Sequence, residues 1–199
     1  MQYALQGTLL GSLEPSIDAT FSGTDRVQLD GDAWVEHVRG LVAGADALFE
    51  DLLQRLEWHG RRIRMYDKVL DEPRLHGSLE LGVRPPIVEE MRVALGARYG
   101  VPFTSVRANL YRDGRDSVAW HGDRIARDLP EALVGVLSLG GRRRFLLRPK
   151  GGGRSVRFEP GSGDLVVMGG SCQRTWQHCV PKMAVAPPRI SVTFRHAYE

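Results

Sequence analysis

Cysteine is nearly absent from this chain: 199 residues contain two thiols, Cys172 and Cys179. Two are too few for a disulfide framework, and without CxxC pairs they do not build a thiolate zinc cage. Lysine is almost as scarce, confined to Lys68, Lys150 and Lys182, so nearly all the basic charge is arginine. No apolar run approaches the ~20 residues needed to cross a bilayer. The opening MQYALQGTLLGSLEPS lacks a charged segment ahead of its short apolar stretch, so a signal peptide is not expected. The expectation is a cytoplasmic, monomeric protein with free, half-buried thiols and no membrane partner. What is present is ordinary for a globular domain: 42% hydrophobic and 26% charged residues exclude a disordered or fibrous chain. A net charge of +3 carried on arginine leans toward an anionic partner, because guanidinium groups make bidentate contacts to phosphate and carboxylate; base composition of the gene gives the same bias without a physical role.

The length suits one catalytic domain, expected to run over 1–199, too short for two independent enzymes. Residues Gln2 to Leu29 alternate apolar and polar positions between turn signals, which suits short strands. From Asp32 the period changes. Trp34, Val35, Val38, Leu41, Val42, Ala45, Leu48, Phe49, Leu52, Leu53 and Leu56 recur at helical spacing, with Asp30 or Asp32 as a cap and Gly40 and Gly44 able to split the stretch. A second helix is expected from Pro85-Pro86 to Tyr99, closed by Gly100. Between them Gly60 to Arg84 reads as an irregular basic and aromatic loop of the kind that covers an anionic ligand. From Ser105 onward the pattern is strand after strand: Ser105–Tyr111, Leu133–Leu139, Arg144–Arg148, Ser155–Phe158, Asp164–Met168 and Ile190–His196. Many strands without intervening helices imply antiparallel pairing, hence a mostly β sandwich or jelly roll behind a mixed α/β N-terminal region.

Three segments carry chemistry. In Trp120-His121-Gly122-Asp123 a His-x-Asp pair at a strand end puts an imidazole and a carboxylate on one face. Such a pair also occurs as ordinary surface groups. Adding His178, on a later strand that can return beside the first, makes two histidines and one carboxylate available. That triad leaves three positions open on an octahedral iron(II). The third segment, Arg189-Ile190-Ser191-Val192-Thr193-Phe194-Arg195, places Arg189, Ser191, Thr193 and Arg195 on one face and the apolar residues on the other. Two arginines on one face call for anions, and a dicarboxylate supplies two; a solvent-facing edge strand with incidental charges is the plainer alternative.

Taken together, Asn109-Leu110-Tyr111-Arg112-Asp113-Gly114-Arg115-Asp116, Trp120 to Asp123, Met168-Gly169-Gly170 with Gln173, Trp176, His178 and Val180-Pro181-Lys182, and Arg189 to Arg195 resemble the AlkB family of 2-oxoglutarate- and iron-dependent nucleic-acid dealkylases. The resemblance runs from about Arg107 to Arg195 and is loose before that, mainly at Pro73-Arg74. It implies a double-stranded β-helix core over 101–199, behind an N-terminal extension over 1–100 with helices and a nucleotide-recognition lid. It implies Fe(II) held by His121, Asp123 and His178, which are thereby the catalytic centre, with 2-oxoglutarate as co-substrate and O2 as oxidant. It assigns the distal carboxylate of 2-oxoglutarate to Arg189 and Tyr111, the carboxylate nearer the metal to Arg195 and Asn109, and supporting places to Ser191 and Thr193.

The reaction so implied is oxidation of an N-alkyl carbon on a nucleic-acid base, yielding formaldehyde, succinate and CO2. A stacked base cannot reach a buried metal, so the substrate is single-stranded or flipped out, DNA before RNA. Met65, Tyr66, Arg74 and His76 in the N-terminal loop, and Arg142, Arg143 and Arg144 on the strand facing the site, are the candidate grip; for the three arginines a solvated hairpin rim is the alternative. Two features depart from related repair enzymes: Leu75-His76-Gly77-Ser78-Leu79-Glu80 follows Pro73-Arg74 in place of an aromatic-glycine signature, and Arg124-Ile125 follows the metal motif where acidic residues often stand. Two other functions fit the same residues: this chemistry on RNA, protein or a small metabolite, and a non-catalytic nucleic-acid-binding module with a degenerate metal site.

Overall fold

The structure, a computed structural model, describes residues 14–65, 68–123, 129 and 131–196, with side chains 63–70 outside that description. In chain order the elements are β1 (Ser16–Ile17), β2 (Thr24–Asp30), β3 (Ala33–Val38), β4 (Val42–Ala43), α1 (Ala45–Arg55), β5 (His59–Met65), β6 (Lys68–Ser78) and α2 (Pro86–Tyr99). Then follow β7 (Ser105–Tyr111), β8 (Val118–His121), β9 (Val134–Gly140), β10 (Phe145–Pro149), β11 (Val156–Phe158), β12 (Leu165–Gly169), α3 (Cys172–Thr175), β13 (Trp176–Val180) and β14 (Arg189–Arg195). Eight strands form the major sheet in the order β2-β3-β12-β9-β14-β7-β6-β5, and four form the minor sheet in the order β11-β10-β13-β8. Every pairing is antiparallel. Two such sheets facing each other make the jelly roll that the strand pattern predicts.

Alternation on β14 shows how one strand serves two layers. Ile190, Val192 and Phe194 point out of the sandwich into a core shared with α1 and α2, among Phe49, Leu52, Met91, Leu95 and Leu137. Each such side chain contributes ~1.5–3 kcal/mol by leaving water. Arg189, Ser191 and Thr193 point the other way, into the space between the sheets, and are buried there. That space holds a second core built from Val35, Val134, Val136, Phe145, Leu147, Met168 and Trp176. Lying between β9 and β7, β14 is no solvent-facing edge.

The N-terminal half corrects two expectations. The helical periodicity from Asp32 to Leu56 resolves into β3, β4 and α1. Ala33 and Val35 face the inter-sheet core while Val38 belongs to the outer one, and a strand buried on both faces imitates a helical run. Gly40 and Gly44 stand in left-handed backbone at φ 61° and 65°, which ends the strand and lets α1 start only at Ala45. Asp30 caps nothing; its carboxylate accepts from Trp176 Nε1 at 2.6 Å. The second correction is the expected loop Gly60 to Arg84. It is mainly the hairpin β5–β6, which extends the major sheet beyond β7 through Leu75↔Leu110 and His76↔Asn109. Strands from both sides of position 100 therefore share one sheet. Helix α2 spans the expected residues, with Gly100 closing it at φ 69°. Residues 1–13, in the stretch expected to form short strands, lie outside the described residues.

Candidate metal and co-substrate site

β8 and β13 are neighbours in the minor sheet, and their register sets His121 directly across from His178. The two rings stand 4.3 Å apart, centroid to centroid. Phe145 stacks on the other side of His178 at 5.3 Å. Burial, reinforced by the nearby His121, pushes the His178 pKa down to about 3, so its ring is neutral and keeps a lone pair for a cation. His121 is also prepared: its Nδ1 lies 2.9 Å from the Ala119 carbonyl oxygen. A carbonyl only accepts, so Nδ1 carries the proton and Nε2 the free lone pair.

Asp123 completes the group two residues past His121. Burial works against its charge, yet Arg195, His178 and His121 hold its carboxyl below the usual carboxylate range. Its Oδ1 accepts from Arg195 Nη2 at 3.1 Å. Its backbone N–H donates to Gln173 Oε1 at 3.0 Å, and Gln173 is itself buried beside the Met168 sulfur. The glycine between His121 and Asp123 has a local cause: a Cβ on Gly122 would meet the Gln173 carbonyl oxygen at 2.8 Å. Among the described residues no three His, Cys, Asp or Glu side chains are drawn together as a finished metal cage. His121 and His178 meet ring to ring while Asp123 turns one oxygen to Arg195. The donor set nonetheless fits iron(II): two imidazoles, that of His178 kept neutral by burial, and one ionised carboxylate on neighbouring elements.

The co-substrate side is built on the inner face of β14. Arg189 is 1% exposed, and its Nη2 donates to Ser138 Oγ at 2.8 Å while its Nε and Nη1 have no partner. Burial pushes its pKa down. A buried guanidinium with two idle donors is costly unless an anion answers it, so this spot fits a carboxylate. Tyr111, its register partner on β7, lies under it with the guanidinium carbon 5.2 Å from the ring centroid. One row further, Asn109, Ser191 and Ser138 stand side by side on three neighbouring strands, with Asn109 Nδ2 3.4 Å from Ser191 Oγ. Thr193 is buried on the same face. Asn109 and Arg195, expected to serve one carboxylate, lie apart on the β7–β14 ladder, where Asn109 faces Ser191 and Arg195 faces Ser105.

The substrate-side candidates divide. Arg74 and His76 come inward from β6, Arg74 Nη1 reaching Tyr111 Oη at 3.3 Å. Arg143 does not face a substrate: it is 1% exposed and donates to the backbone carbonyls of Asp113, Asp116 and Pro181. It pins the loop before β8. Arg144 is half-buried and Arg142 exposed. The Met65 side chain and all of Tyr66 lie outside the described residues, as do Arg124 and Ile125. Ser138 is the contributor that motif reading passed over, and Gln173 was named among the motifs without a role. Ser138 could have been noticed as the single hydroxyl in the run Val134–Leu139, whereas nothing in sequence tells which backbone Gln173 holds. A cavity of about 580 Å³ at the far edges of the two sheets, lined by His37, Arg39, Arg157 and Asp164 among others, is a weaker site. Most of its polar side chains are already paired, as His37–Asp164, Arg39–Asp25 and Arg157–Glu159.

A jelly roll with a histidine and an aspartate at one strand end, a second histidine across from them on the neighbouring strand and a buried arginine awaiting a carboxylate defines the non-haem Fe(II), 2-oxoglutarate-dependent oxygenases as a class. The family described as the 2OG-Fe(II) oxygenase superfamily matches residues 83–195, and the chain belongs to it. The co-substrate and cofactors of that superfamily are 2-oxoglutarate, O2 and Fe(II). Over 181 residues the chain is 32% identical to alpha-ketoglutarate-dependent dioxygenase alkB homolog 3 of Bos taurus, covering 77% of this chain and 62% of that protein. It is 27% identical to human DNA oxidative demethylase ALKBH2, covering 77% and 69%. The AlkB resemblance drawn from the motifs therefore holds, although the chain spans only about three-fifths of the length of the first relative. An oxidoreductase of the 2OG-Fe(II) oxygenase family from Burkholderia pseudomallei superposes with TM-score 0.52 at 18% identity, over 75% and 76% of the two chains. A Pseudomonas putida prolyl-4-hydroxylase does so with TM-score 0.51 at 17% identity, over 78% and 86%. At those identities the likeness is one of fold.

Proposed function

We propose that this protein oxidatively removes N-alkyl groups from bases in nucleic acid, with Fe(II), O2 and 2-oxoglutarate consumed in the same turnover. The observation that carries it is the pairing of the His121–His178–Asp123 group with a buried, anion-seeking Arg189 on the adjoining sheet. His121, His178 and Asp123 would hold the metal; bound there, it supplies the oxygen activation and C–H oxidation that no side chain can perform. Arg189 and Tyr111 bind the distal carboxylate of 2-oxoglutarate, Arg195 beside Asp123 serves the end nearer the metal, and Asn109, Ser191 and Thr193 line the stretch of β14 between them. Phe145, Leu147 and Trp176 keep water from the site. The balance is one N–CH3, one O2 and one 2-oxoglutarate giving one N–H, formaldehyde, succinate and CO2.

The substrate end follows from access. The site lies between two sheets, so a base must be unstacked to enter, and single-stranded or flipped DNA meets that need more readily than an intact duplex. The names of the relatives, a DNA oxidative demethylase among them, support DNA over RNA. Arg74 and His76 would contact the entering nucleotide. The β5–β6 hairpin, with Arg61 and Arg62 exposed, would act as the recognition lid of the N-terminal extension together with Met65 and Tyr66, with Arg144 a further contact. The protein is expected to act as a cytoplasmic monomer.

The test is incubation of the purified chain with Fe(II), ascorbate, 2-oxoglutarate and a panel of methylated DNA and RNA oligonucleotides. Formaldehyde and demethylated base should appear together, in single-stranded DNA first. A stable alcohol product, or succinate formed at the same rate with and without every oligonucleotide, would count against dealkylation.

A further inference from the structure

Three guanidinium groups crowd around one phenol. Arg74 Nη1 donates to Tyr111 Oη at 3.3 Å, and the guanidinium carbons of Arg189 and Arg143 lie 5.2 and 5.5 Å from the Tyr111 ring centroid. Like charges so close, away from water, demand separate answers. Arg143 has three backbone carbonyls. Arg189 has the Ser138 hydroxyl, the Tyr111 phenol beside it and two idle donors. Arg74 has Glu72, whose Oε1 accepts from Arg74 Nη2 at 2.9 Å while its Oε2 meets His76 Nε2 at 2.7 Å.

Glu72 is 12% exposed at its side chain and Arg74 15%. Burial opposes the Glu72 charge, but Arg74 and His76 hold its carboxyl below the usual carboxylate range. The carboxylate therefore persists and ties both inward-facing residues of β6 together. His76 in turn stands in register with Asn109, which faces Ser191. The clamp thus sits at the border between the co-substrate row and the mouth of the sandwich.

We propose that Glu72 is a positioning residue: it neutralises Arg74 and holds it with His76 toward the substrate, so that Arg189 and Tyr111 alone receive the distal carboxylate of 2-oxoglutarate. This rests on the co-substrate assignment above. Without Glu72, a second uncompensated cation would stand beside the dicarboxylate, tightening its hold, while Arg74 and His76 would lose the orientation that a nucleotide needs. Loss of local structure predicts the opposite sign for the co-substrate, which makes the direction of the effect diagnostic.

The experiment is anaerobic calorimetry of 2-oxoglutarate binding to the full chain loaded with redox-inert Mn(II), for wild type, Glu72→Gln, Arg74→Gln and the double variant. Glu72→Gln should bind roughly three- to tenfold tighter through the removed negative charge, Arg74→Gln weaker by a similar factor, and the double variant close to wild type. In iron-dependent turnover Glu72→Gln should raise KM for a methylated oligonucleotide severalfold while lowering KM for 2-oxoglutarate. Unchanged or weaker binding by Glu72→Gln, with thermal unfolding as in wild type, overturns the proposal. So does a double variant as weak as Arg74→Gln, since Arg74 would then itself hold the co-substrate. Should Glu72→Gln fail to fold, Arg74→Gln decides: unchanged binding overturns the proposal. A wild-type chain that binds no 2-oxoglutarate sinks the co-substrate assignment instead, and the proposal with it.

Discussion

Arg189 carries the sharpest consequence at the scale of single residues. A buried guanidinium with one hydroxyl partner and two idle donors is a poor contributor to folding and a strong one to binding a carboxylate. Arg189→Met should therefore leave the fold intact and about 1 kcal/mol more stable. The same change should weaken 2-oxoglutarate by roughly 2 kcal/mol, about thirtyfold. Thermal unfolding and co-substrate titration of the one variant check both signs, and a variant that loses stability without losing affinity contradicts the assignment. Sequence made much of this legible, because His-x-Asp, the later His178 and the arginine pair are spaced by strand alternation, which needs no coordinates. It could not show that Arg195 turns to Asp123, that Arg143 serves backbone carbonyls, or that Glu72 sits between Arg74 and His76. Those depend on which strands become neighbours. The two thiols are free, as expected, but fully rather than half buried: burial pushes Cys172 up to about 12 and Cys179 up to about 11, which leaves them unreactive at neutral pH.

At the scale of elements, legibility followed burial. β7, β9, β10, β11, β12 and β14 lie within a residue of their expected bounds because turn signals flank each one. β3 did not, since burial on both faces erased its period of two, and β5 and β6 did not, since their charges read as loop. Helix α2 was plain from its proline start and glycine end, and its first turn holds a pH-dependent contact. Hydrogen bonds from Arg92 and Arg84 draw the Glu89 pKa from 4.5 down to about 2, with Arg92 Nη2 2.6 Å from Glu89 Oε1. A carboxylate with a depressed folded pKa stabilises the native state above its unfolded value and ceases to do so as pH falls through the folded one. Glu89→Gln should thus cost stability at neutral pH, by roughly 0.5 kcal/mol given its exposure, and that deficit should vanish between pH 4.5 and about 2. Acid titration of chemical unfolding for wild type and variant checks it; a deficit that stays constant across that range would contradict it.

The whole molecule separates two duties by layer. Packing against α1 and α2 on the outer face of the major sheet supplies stability, which leaves the inter-sheet face free to carry buried polar groups at a cost. The antiparallel sandwich and a β-rich second half were readable from sequence. The sharing of one sheet by residues before and after position 100 was not, because the hairpins β2–β3 and β5–β6 join it only through the long-range pairing of β3 with β12 and of β6 with β7. This arrangement draws the proposed metal ligands from the minor sheet and its following loop and the proposed co-substrate residues from the major one, so cofactor and co-substrate should bind in an ordered, interdependent way.

That interdependence is the most direct test of the central claim. Calorimetry under anaerobic conditions should show one 2-oxoglutarate bound per chain in the presence of Fe(II), with binding weakened at least tenfold when the metal is withheld or Asp123 is changed to Ala, the chain remaining folded. Equal affinity with and without metal, or an Asp123→Ala variant indistinguishable from wild type, would contradict it.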